Sequence, residues 1–97
     1  MTTETQLVTI VEKPKVILQL AALVLEHEDN LANIEAANKA GLYATKDAYE
    51  CDFEDANDSH LIALAAYQAA LSLMRGKRID EEQQSQLECA LCLTGAI

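Results

Sequence analysis

The sequence predicts an all-α fold, a long antiparallel helical hairpin plus a short C-terminal helix packed as a small helical bundle. Hydrophobic residues make up 51% of the 97 residues and aromatics only 4%, with alanine abundant. That is the composition of helices packed through small side chains rather than of a β-sandwich. One proline and three glycines leave few places to break the chain. Two long segments repeat apolar residues at alternating spacings of three and four, the period of a helix that buries one stripe. The length suits one domain, near the lower limit of what buries a core unaided.

Residues 1–12, through Val8, Thr9, Ile10 and Val11, cluster β-branched side chains without a clear period and are open to a short strand or a short helix. Pro14 fits a first helical turn, where its missing N–H costs nothing, and a helix is predicted over 14–40, about 40 Å long at ~1.5 Å per residue. Gly41 is the expected left-handed stop, with Leu42 placed to fold back on the last turn. Thr45 is the cap of a second helix over 46–75, with Asp47 in its first turn and Gly76 ending it. Arg75, Lys77 and Arg78 suit the negative end of that helix. Asp80-Glu81-Glu82-Gln83 has the form of a capping box, opening a third helix over 80–94 that carries Leu87, Ala90 and Leu91 before Gly95.

The two long helices fix a register between them. The first carries Ile17, Leu20, Val24, His27, Leu31 and Ile34 on one stripe; the second carries Tyr49, Phe53, Ala56, His60, Ala63, Tyr67, Ala70 and Met74. Facing residues of an antiparallel hairpin have position numbers with a constant sum. Ile34 with Phe53, Leu31 with Ala56, His27 with His60, Val24 with Ala63, Leu20 with Tyr67 and Ile17 with Ala70 all share one such sum, centred on the Gly41–Thr45 turn. Two independent patterns agreeing on one register argue for a hairpin rather than two unrelated helices.

Sixteen acids against seven bases give a net charge of −9, which repels phosphate backbones and attracts basic surfaces. Direct nucleic-acid binding is therefore not expected. Glu26, Glu28, Asp29, Glu35, Asp47, Glu50, Asp52, Glu54, Asp55 and Asp58 all lie between positions 26 and 58, against Lys39 and Lys46, so this turn-proximal half has a net charge of −8. The opposite end is apolar nearly all round, through Leu18, Leu25, Leu61, Leu64 and Leu71 among others, and such a helix must be covered. Homodimerisation is the simplest cover, and a groove for a partner helix is another use of the same residues. Val16–Leu25 and Leu61–Leu71 are too short or too interrupted to span a bilayer, which takes about 20 apolar residues. Three cysteines in a chain without a basic, apolar leader fit the cytoplasm.

Three constellations could carry chemistry. His27 and His60 face each other in the register, the arrangement of a partial metal site or a proton-dependent switch, but two imidazoles alone leave a site incomplete, so a polar layer that fixes register is the preferred reading. Cys89-Ala-Leu-Cys92 has a metal or redox spacing without a second pair of ligands, and is read as small core residues with free thiols. Glu26-x-x-Asp29 opposite Asp55-x-x-Asp58 resembles the carboxylate pairs with which all-α nucleotide pyrophosphohydrolases hold magnesium, though no Lys or Arg accompanies it for phosphate. No cofactor is implied, and no catalytic residue is assigned.

These features lead to a non-enzymatic interaction module whose acidic arm, Glu28, Asp29, Asp47, Glu50, Asp52, Glu54, Asp55 and Asp58, occupies a basic partner surface. In size and charge the chain resembles the small acidic proteins with which phages disable host defences, anti-CRISPR proteins among them. That resemblance implies an inhibitor seated on the partner's nucleic-acid site. The alternatives are an adaptor or chaperone-like dimer binding a partner helix, and a metal- or nucleotide-handling helical protein.

Overall fold

The computed structural model describes residues 3–96. Its elements are α1 (Glu4–Val11), α2 (Pro14–Lys39), α3 (Lys46–Met74) and α4 (Glu81–Leu93), with no strand among the described residues. The all-α class and the hairpin of α2 and α3 are as the sequence predicts.

The N-terminal segment left open by its sequence is a helix, and its cap decides the matter. Thr3 Oγ1 accepts from the Gln6 backbone N–H at 3.2 Å while Gln6 Oε1 accepts from the Thr3 N–H at 2.9 Å. Two of the four donors that a helix start leaves unpaired are thereby satisfied. The Thr9 hydroxyl donates to the Thr5 carbonyl one turn back, which accommodates a β-branched residue within the helix. Leu7 and Val11, one turn apart, are both fully buried. Pro14 separates α1 from α2: it holds Lys13 extended, at φ −72° and ψ 122°, and so prevents one continuous helix.

Both hairpin helices end on a left-handed glycine. Gly41, at φ 74°, lets the Leu42 N–H reach the Ala37 carbonyl at 3.0 Å, and Gly76, at φ 76°, does the same for Lys77 and Ser72 at 2.9 Å. The Leu42 side chain, expected to fold back on α2, is instead 76% exposed, since the last turn of α2 offers it only alanine and polar side chains, Ala36, Ala37, Asn38 and Lys39. Thr45 caps α3 by accepting from the Ala48 N–H, and Asp80 with Gln83 forms the capping box of α4.

The core lies off-centre. Leu7 and Val11 of α1, Val16 and Leu20 of α2, Ala66, Ala69, Ala70 and Leu73 of α3, and Leu87, Ala90 and Leu91 of α4 form one buried cluster. α3 is the central helix. Its Ala66, Ala69, Ala70 and Leu73 belong to that cluster, and its Ala56 and Ala63 are buried farther along the hairpin. The stripes read from sequence are buried or half-buried throughout except Met74, which is 48% exposed because α2 starts too late to face it. Beyond His27 and Ser59, which still share a cleft with the end of α4, the hairpin continues as two helices, drawing the molecule out to 48 × 24 × 20 Å.

Candidate interaction surface

The outer half of the hairpin is an arm whose seam is only half-buried, through His27, Leu31, Ile34, Tyr49 and Phe53, with Ala56 its one buried residue. Glu28, Asp29, Asp47, Glu50, Asp52, Glu54, Asp55 and Asp58 are all exposed on it. Lys46 Nζ lies 3.7 Å from Glu50 Oε1 with the lysine side chain 85% exposed, a pairing that water screens heavily.

An aromatic brace stiffens the tip, a feature the sequence reading did not single out. Tyr43 meets Tyr49 edge-on at 5.6 Å between ring centroids, and Tyr49 meets Phe53 at 5.9 Å. The Tyr43 hydroxyl donates to Asp52 Oδ2 at 3.0 Å, tying the turn to the first turns of α3. The one-turn spacing of Tyr49 and Phe53, with Tyr43 just before the cap, is the signal that could have found it. Partial burial, then the bond to Asp52 and its negative charge, raise the Tyr43 phenol above the ordinary tyrosine value of 10.0. A raised acid favours the protonated phenol in the folded state, so this contribution is intact below the unfolded value and is lost as pH climbs through the raised one. In a spectrophotometric alkaline titration, one of the chain's three tyrosines should ionise after the others, and Asp52→Ala should bring it back towards them. Ionisation unchanged by that substitution would rule out the Tyr43–Asp52 bond.

The histidine pair does not form. His60 Nε2 approaches Glu28 Oε1 at 3.4 Å, an ion pair when the imidazole is protonated, while His27 lines clefts beside Ser59 and Asn30. Successive residues turn by about 100° around a helix, and His27 and His60 sit on opposite flanks of the seam, so correct register still sends the two rings apart. Glu26 and Asp29 line one shallow cleft, and Asp52 and Asp55 another. Among the described residues no group of three or more His, Cys, Asp or Glu side chains converges as a metal site, which is the geometry that the carboxylate reading required.

The cysteines are free thiols, but Cys89 and Cys92 are exposed rather than part of the core. Leu87, Ala90 and Leu91 set the buried stripe of α4 at spacings of three and four, and positions 89 and 92 fall outside it.

At the apolar end, α4 covers one face of the hairpin and α1 packs against α2 and α3. Leu64 and Leu71 are half-buried, whereas Leu18, Leu25 and Leu61 remain 70%, 60% and 53% exposed. Five of the seven bases gather at the same end, Lys13, Lys15, Arg75, Lys77 and Arg78. No helix among the described residues is long and apolar enough to cross a membrane. No protein-family model, curated protein or solved structure matches the chain.

Proposed function

We propose that this chain is a non-enzymatic inhibitor that inserts its acidic arm into a basic, nucleic-acid-binding surface of a partner protein, in the manner of phage anti-defence proteins. One observation carries the reading: ten acids against two lysines are concentrated between positions 26 and 58, on the half of the hairpin that contributes least to the core. Acids needed only to keep a bundle dispersed would serve as well spread over every exposed face. Gathered on a narrow projecting arm, they present a strip of negative charge that competes with a phosphate backbone for Lys and Arg. The tip brace contributes rigidity, which lowers the ordering cost of docking. Free, exposed thiols fit a reducing cytoplasm, where such partners are met.

The test is affinity capture with the immobilised chain. A basic nucleic-acid-binding protein should be retained at about 0.1 M salt, where screening acts over ~10 Å, and released near 1 M, where it acts over ~3 Å. Added nucleic acid should displace it. Retention indifferent to both salt and nucleic acid would overturn the proposal.

A further inference from the structure

The fold leaves the cysteine pair of α4 without a packing role. Cysteine is among the residue types most often buried, yet Cys89 and Cys92 are exposed free thiols, while Ala90 and Leu91 between them carry the helix into the core. Their setting is fixed. Leu87, Ala90 and Leu91 are buried, and just past the pair the Gly95 N–H donates to the Cys92 carbonyl at 3.2 Å and the Ala96 N–H to the Leu91 carbonyl at 2.9 Å. The two thiols are thus displayed on an anchored turn, at the spacing of three that places side chains on the same flank of a helix.

That spacing selects among the chemistries open to two thiols. Residues three apart on a helix hold their Cβ atoms about 5–6 Å apart, whereas a disulfide needs about 3.5–4.5 Å, so oxidation within the pair would require the end of α4 to unwind. Redox-active cysteines also take an electropositive setting or a helix N-terminus. Here α4 carries Glu81, Glu82 and Glu88 and no Lys or Arg, and the pair stands at its C-terminal end. A metal ion between two sulfurs spans about 4.6 Å, twice a metal–sulfur bond of ~2.3 Å, which the same turn accommodates. Zinc and its usual four ligands do not fit. His27 lines the cleft that Cys89 borders, but no three His, Cys, Asp or Glu side chains converge among the described residues. What suits the pair is an ion satisfied by two thiolates, and the chain's net charge of −9 favours the approach of a cation.

We infer that Cys89 and Cys92 form a two-coordinate site for a soft monovalent cation of the cuprous class, which thiolate ligands select. Both thiols release their protons as the two sulfur–metal bonds form, and no electron changes hands, so copper stays monovalent. The acids of the arm lie on α2 and α3, so the proposed function and this inference stand or fall on separate measurements.

Anaerobic titration of the reduced chain with Cu(I), in competition with an equimolar chromogenic Cu(I) chelator, should show one ion bound per chain. Cys89→Ser and Cys92→Ser should each abolish that binding at unchanged helicity by circular dichroism, since both residues are exposed, whereas Cys51→Ser should leave it intact. An equal concentration of Zn2+ should not displace the copper. Binding that survives either substitution in α4, binding lost in Cys51→Ser, or displacement by Zn2+ would each overturn the assignment. So would one ion shared between two chains, or a chelator that keeps all the copper.

Discussion

Leu20→Ala is expected to lower unfolding stability by about 2–5 kcal/mol, the range for removing a large aliphatic side chain from a packed site. Leu20 is fully buried where the α2–α3 seam meets the cluster built by α1 and α4, so several elements would have to move to fill the void. Domains of this size are stable by roughly 5–15 kcal/mol, so the loss is a large fraction of the whole. The same truncation at half-buried Leu31, on the arm, should cost under about 1.5 kcal/mol, because water already reaches part of the side chain. Urea unfolding measures both, as a fall in midpoint at unchanged slope. Equal losses at the two positions would contradict a core confined to one end. A further consequence is kinetic: amides of the arm should exchange through partial openings at lower free energy than those of α3 near Ala66 and Ala69.

The elements that depend on period and punctuation were legible. Pro14, Gly41, Thr45, Gly76 and Asp80 mark where α2, α3 and α4 begin or end to within about a residue, because each acts through backbone chemistry that does not depend on tertiary context. α1 was harder for a physical reason. Its β-branched run blurs the helical period, and only the Thr3–Gln6 box and the burial of Leu7 and Val11 against α2 and α3 decide its conformation. Side-chain direction was the other gap. A constant-sum register fixes which residues lie level with each other, yet His27 and His60 lie level and still diverge, since facing also requires matched angles around both axes. The same limit explains Cys89 and Cys92, which share a helix with the core residues but not their stripe. The exposed acids needed no such detail, because a charge in water requires no partner.

The variant Glu50→Gln, Glu54→Gln, Asp58→Asn should bind its partner about 10–1000-fold more slowly while folding at least as well as the natural chain. The three side chains are exposed and follow one another at one-turn spacing along α3, with Lys46 at 3.7 Å from Glu50 at the start of the row. Like charges one turn apart destabilise a helix by about 0.2–0.5 kcal/mol per pair, so removing them should raise stability slightly even as association slows. Effects of opposite sign separate recognition from folding. Steered association also depends on ionic strength, so the rate for the natural chain should fall steeply with salt and that of the variant, which keeps seven of the ten acids, should fall less steeply. An adaptor that holds a partner helix in an apolar groove predicts the reverse pattern, with the neutralised arm binding normally and Leu64→Asp abolishing the complex. Stopped-flow association rates for the two variants, taken at low and high salt, distinguish these mechanisms, and a neutralised arm that binds at the natural rate would exclude the acidic strip as the recognition surface.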